Sequence, residues 1–215
     1  MKTAYVLTAL AAVASVPATA ATIVHFDAGL GSLPAGFTTF QDFEGFSGGT
    51  PGESIGTNTF VYSDSVSGQA ARPNFGSTGN FAAVRSGGSY TVNFAATNAL
   101  SFVLGSLDTY NTVTLLYEDG TSQSYAGGQI INDLSFPSGN QISGETNGVV
   151  TYTVTSGPLL TGLTFSSSSD SFEFDNLAVA AAAVPEPAAW ALLIGGFGLV
   201  GMSARRRTRM SVACA

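Results

Sequence analysis

Between residues 21 and 183 the sequence is written in short apolar runs, and this patterning decides the fold class. "TIVHF", "TFVYS", "SYTVNF", "LSFVL", "GVVTYTV", "LLTGLTF" and "SFEFDNLAV" are rich in β-branched and aromatic residues, and most alternate in polarity. Gly, Ser, Asn and Pro separate them. A period of two belongs to a strand buried on one face, and no stretch sustains the 3.6-residue period of a helix. Many short strands with turn residues between them bury their faces by packing layer on layer. The expected fold is all-β, an antiparallel, jelly-roll-like β-sandwich. Thr112 to Tyr125 is the clearest hairpin, with Asp119-Gly120 at its turn. Two long loops, 47–56 and 68–80, are candidates for function, because long loops in a compact domain are often functional or ordered by a ligand. The last run changes phase: Phe172 and Phe174 are even-numbered, Leu177 and Val179 odd. One extra residue reverses the face of all that follows, so a bulge is predicted at Asp175-Asn176.

The two ends read differently. Lys2 precedes an apolar stretch from Ala4 to Val16, Pro17 breaks it, and Ala18-Thr19-Ala20 carries small residues where a signal peptidase reads them. Residues 1–20 are therefore expected to be a signal peptide cleaved after Ala20. Near the other end, Ala188 to Ala204 has no charge, and Arg205, Arg206, Arg207 and Arg209 follow at once. As a helix this run is about 25 Å long, the lower limit for a bilayer, and the arginines would keep the cytoplasmic side. The expected organisation is a signal peptide (1–20), a β-sandwich surface domain (21–183), a C-terminal segment with a transmembrane helix (184–209) and a short tail (210–215).

Pro185-Glu186-Pro187, Trp190, the glycine-rich apolar run and the arginine cluster Arg205, Arg206 and Arg207 together resemble the PEP-CTERM sorting signal of Gram-negative bacteria. The resemblance covers about 25 residues. It implies handling by an exosortase, a membrane transpeptidase, with cutting near Pro185 to Pro187. It also implies passage of the body to the cell surface or extracellular matrix. "GSLDTYNTVTLLYEDG", "GNQISGETNGVVTYTV" and "FEFDNLAV" resemble, in that order, the body of a subgroup of PEP-CTERM surface proteins. That likeness implies a β-sandwich and no catalytic residues. The subgroup often has aromatic residues just before its Gly-Ser-x-Asp motif, where this chain has Phe102, Val103 and Leu104.

The body is acidic: thirteen Asp and Glu residues stand against Arg72 and Arg85, a formal balance of −11. Nucleic acid and anionic membrane surfaces are poor partners for it, and divalent cations are better ones. Asp42 and Glu44, two apart in "QDFEGF", would face one side of an early strand. In jelly rolls the first and last strands often lie close together. Asp42, Glu44, Asp175 and Asn176, with Glu173 nearby, therefore make a candidate structural Ca²⁺ site supplying oxygen ligands. The alternative is a solvated carboxylate surface.

"GSLDTYN" reads as a strand end and tight turn in which Asp and Asn bond their own backbone. The alternative makes Asp108, Tyr110 and Asn111 a polar and aromatic patch for a sugar or partner. Enzymatic signatures are scarce. His25 is the only histidine and Cys214 the only cysteine, and no nucleophile-elbow or phosphate-loop motif occurs. The functional expectation is a non-enzymatic exported surface or matrix protein, associated with exopolysaccharide or biofilm. Its alternative is a polysaccharide hydrolase using a carboxylate pair.

Overall fold

The computed structural model describes residues 19–180 and 193–202. The chain divides into two compact units, residues 1–181 and 182–215. The first unit is all-β, a single curled antiparallel sheet. Its strands are β1 (Ala21–Ala28), β2 (Phe37–Gln41), β3 (Ser54–Tyr62), β4 (Phe81–Thr97), β5 (Ala99–Leu104), β6 (Asn111–Tyr117), β7 (Ser122–Ala126), β8 (Gly148–Ser156), β9 (Leu160–Ser167) and β10 (Phe172–Ala180). Every run identified in the sequence falls within a strand or overhangs it by one residue. The spatial order is β1-β8-β5-β10-β4-β9-β6-β7, with β2 also on β10 and β3 also on β4.

β4 makes the sheet curl. Its first residues pair with β3 and β10, whereas Gly88 to Thr97 pair with β9. The change falls at Gly87, whose φ of 72° suits glycine, and at Gly88, where a Cβ would lie 2.7 Å from the Asn58 carbonyl oxygen. Curling brings the inner faces of the two halves together. Phe165 on β9 stacks on Phe174 of β10 at 3.6 Å between ring centroids and meets Phe102 of β5 edge-on at 5.0 Å. The 112–125 hairpin forms as expected, with Asp119 Oδ1 accepting hydrogen bonds from the N–H and hydroxyl of Thr121.

The phase slip in the last strand is a bulge. Asp175 pairs with Val103 and Ala178 with Ser101, so β10 spends three steps where β5 spends two. Asn176, at φ 50°, takes the left-handed conformation that Asn tolerates better than most residues. Phe174 and Leu177 both reach the core as a result.

One sequence expectation is corrected. Asp42 and Glu44 do not alternate along a strand, because β2 ends at Gln41 and a turn follows. Asp42 Oδ1 accepts the Glu44 N–H at 3.2 Å, and Phe43, at φ 60°, turns its fully buried ring against Phe174 and Tyr90. An aromatic anchor at a left-handed residue overrides the strand pattern here.

In the second unit a helix, α1, is described over residues 193–202. Ten residues make about 15 Å, half the hydrocarbon thickness of a bilayer. No helix among the described residues is long and apolar enough to cross a membrane. The expected span Ala188 to Ala204 is thus described only in part. Its apolar side chains are exposed, Phe197 by 71% and Ile194 by 69%. Residues 1–18 of the expected signal peptide, Pro185, Glu186, Pro187 and Arg205 to Arg207 lie outside the described residues.

Candidate functional site

On the outer face of β10 the chain builds a polar corner. Alternation places Glu173 and Asp175 opposite the core-facing Phe172 and Phe174. Both are buried, 2% and 1% exposed, because the segment between β3 and β4 roofs them. Ala71 donates its N–H to Glu173 Oε1 at 2.9 Å, and the Asn176 side-chain amide donates to the Gly76 carbonyl at 3.1 Å. The Ser171 hydroxyl donates to Glu173 Oε1, and that of Ser106 to Oε2 at 3.3 Å. Burial pushes the Glu173 carboxyl up to about 7, against these donors, which pull it down.

The "GSLD" stretch makes structural sense against this carboxyl. A Cβ on Gly105 would sit 2.7 Å from that of Glu173, so glycine lets the two strands close. Ser106 supplies a donor, and Asp108 turns toward an adjoining cavity of about 430 Å³. That volume lies in the range of small-ligand clefts, roughly 300–1,000 Å³. The walls come from the 65–71 segment, from Asp108 and Tyr110 before β6, and from Asp170 to Glu173 at the start of β10. The Tyr110 hydroxyl lies 2.8 Å from both Asp108 Oδ2 and the Asp170 carbonyl, so its single proton serves one of them at a time. The Ser138 hydroxyl donates to Asp108 Oδ1 at 3.0 Å. Arg85 holds Asp170 through Nε and Nη2, both at 3.2 Å, and draws its carboxyl below the usual range.

The sequence patch Asp108, Tyr110 and Asn111 therefore divides. Asp108 and Tyr110 line the cavity. Asn111 is fully buried and ties the turn together: its Oδ1 accepts the Asp108 N–H at 2.7 Å, and its amide donates to Ser167 Oγ and the Ser171 carbonyl. For Asn111 the turn reading is the one observed. Sequence reasoning missed the far wall, because residues 65–71 reach the site only through tertiary packing.

The candidate calcium residues each have an oxygen or amide already engaged within the protein. β2 pairs with β10, Gln41 opposite Leu177, which carries the turn after β2 toward the bulge. Glu44 comes close enough to Asp175 to raise its pKa, while Arg72 lowers it. Asp42 is engaged by the Glu44 N–H, and Glu44 Oε1 by the Asn80 N–H at 2.8 Å. Asp175 Oδ1 accepts the N–H of Asn176 at 2.7 Å. Its Oδ2 is buried without a hydrogen-bond partner, and so is Ser77 Oγ, which lies near enough to favour the charged form. Burial still dominates and pushes Asp175 up to about 7. No group of three or more His, Cys, Asp or Glu suited to a metal occurs among the described residues.

Comparison with known proteins adds a signal in the second unit. No curated protein matches the chain. A family profile, the PEP-CTERM protein-sorting motif, matches residues 183–207. The match begins three residues beyond the end of β10. The chain carries the PEP-CTERM protein-sorting motif, the C-terminal sorting signal of exosortase substrates.

Proposed function

We propose that this exosortase-sorted chain is a non-enzymatic surface or extracellular-matrix protein whose body holds polysaccharide. The sorting motif at 183–207 carries the reading, since it implies export and surface display. The cavity beside Glu173 is the body's contribution. Its serine hydroxyls, side-chain amides and tyrosine can donate to and accept from sugar hydroxyls. In this account signal peptidase removes residues 1–20 and the apolar run holds the precursor in the membrane. The exposed apolar side chains Ile194, Phe197 and Leu199 of α1 support that step, because such a surface is stable only when covered by lipid or protein. The curled sheet, with rings of both halves interleaved, is read as a jelly-roll-like sandwich.

Co-sedimentation with the exopolysaccharide of the producing cells tests the reading. The protein should pellet with the polymer, and Tyr110→Ala should weaken the association about tenfold, since it removes one hydroxyl and one ring from the wall and leaves Asp108 with the Ser138 donor alone. A protein that stays in the supernatant contradicts it. The hydrolase alternative draws on three carboxyls around one cavity. Release of reducing ends from the same polymer would select it.

Calcium at the Asp42, Glu44, Asp175 and Asn176 corner is a separate proposal, supported by the unpartnered Asp175 oxygen. Binding at one hundred times the dissociation constant adds about 2.7 kcal/mol to stability. The melting temperature should then rise from EDTA to millimolar calcium, and not in Asp175→Asn. Superimposable curves remove the proposal.

A further inference from the structure

The cavity beside Glu173 has a sign. Three carboxyls border it, from Asp108, Asp170 and Glu173, and among the described residues no Lys, Arg or His lines it; Arg85 stands behind the wall, its Nη1 donating to the Gln69 side-chain oxygen at 3.3 Å. Asp170 is matched by the guanidinium of Arg85, which grips both its oxygens. Glu173 is buried, with both oxygens taken by internal donors. Asp108 differs. It is partly exposed, and its oxygens accept only from the neutral hydroxyls of Ser138 and Tyr110. It is therefore an anion facing a concave space without a cation of its own, in a body whose acidic residues far outnumber its arginines. The remaining wall is hydroxyl and amide. Such a site attracts an ammonium, tolerates a neutral sugar and repels a carboxylate.

We infer that the cavity selects an amine-bearing sugar residue, with its ammonium on Asp108 and its hydroxyls on the surrounding serine and glutamine side chains. The inference rests on the polysaccharide reading and narrows its ligand class. The wall supplies three suitable groups: Gln141 offers both a donor and an acceptor, Gln69 an amide donor beside the oxygen that Arg85 Nη1 and the Tyr62 hydroxyl already occupy, and Ser65 a hydroxyl.

Titration calorimetry of the full chain in detergent, with three oligosaccharides of equal length, tests it. The probes are a glucosamine oligomer, its N-acetylated counterpart and a galacturonate oligomer. At low salt the glucosamine oligomer should bind roughly fivefold tighter than the N-acetylated one, as expected for one partly exposed ion pair. The galacturonate oligomer should bind weakest. The preference should shrink in high salt. In Asp108→Asn, which can keep both hydroxyl contacts, the ratio of the first two affinities should fall to about one. Equal binding of those two probes by the unaltered chain overturns the inference but leaves the polysaccharide reading standing. So does preference for galacturonate. Failure of the glucosamine oligomer to bind also overturns it. The polysaccharide reading itself falls only if the co-sedimentation experiment fails.

Discussion

Raising the pH from about 4 to about 8 is expected to destabilise the body by several kcal/mol. Burial holds Glu173 and Asp175 at about 7 in the folded chain, whereas unfolded carboxyls titrate near 4. The folded state therefore binds more protons between those values, and stability falls as pH rises through that window and levels off above 7. At about 1.4 kcal/mol per unit, each carboxyl contributes on the order of 3 kcal/mol. For a domain of this size that is a large share of a total of 5–15 kcal/mol. Asp170 acts in the opposite direction. Arg85 lowers its pKa, so its contribution is present above about 4 and is lost as pH falls below that. Maximum stability should lie on the acidic side, near pH 4, where the contribution of Asp170 is present and that of the two buried carboxyls is not yet lost. Urea titrations across the range, in EDTA, check this, and a stability that rises from pH 5 to 8 would contradict it.

The same argument singles out Asp175→Asn. The new amide can donate to the unpartnered Ser77 hydroxyl, while Oδ1 still accepts the Asn176 N–H. The buried hydroxyl gains a partner, the orphaned carboxylate oxygen is replaced by its donor, and a buried ionisation disappears. The variant should be more stable than the parent at pH 8 by about 1–3 kcal/mol, and much less so at pH 4.

Phe165→Ala should have the other large effect, a loss of about 3–5 kcal/mol. Phe165 is fully buried and sits in β9 between Tyr90 of β4 and Val113 of β6. Its ring touches Phe102, Phe172 and Phe174 of the opposite half, so removing it opens a cavity where the curled sheet closes on itself. The midpoint of denaturation should fall with little change in slope. A loss below about 1 kcal/mol would mean that the two halves are not held by this contact.

Much of this architecture was readable in the chain because alternation is local. Each apolar run became a strand, Asp119-Gly120 made its turn, and the change of phase at Asp175-Asn176 announced the bulge. β2 was not recognised as a separate strand, since "FTTFQ" is short and mostly exposed. Asp42 and Glu44 were misplaced for a different reason. The left-handed Phe43 depends on a ring pocket supplied by Tyr90 and Phe174, far away in sequence. The cavity was half legible. Asp108 and Tyr110 stand out as turn residues with chemistry to spare, but nothing in "SVSGQAA" says that it will fold over β10. Glu173 looks like any strand carboxylate until that roof is in place.

The central claim is that a folded β-body is handed to the cell surface by its C-terminal signal, and the mass of the mature protein tests this most directly. Intact mass and membrane fractionation should be compared in cells with and without exosortase activity. With the enzyme, the chain should end near Pro185 to Pro187, and the body should leave the inner membrane. Without it, or with Pro185, Glu186 and Pro187 all changed to alanine, the chain should keep its apolar run and arginines and stay in the membrane fraction. The same mass and location in all three cases would contradict the account.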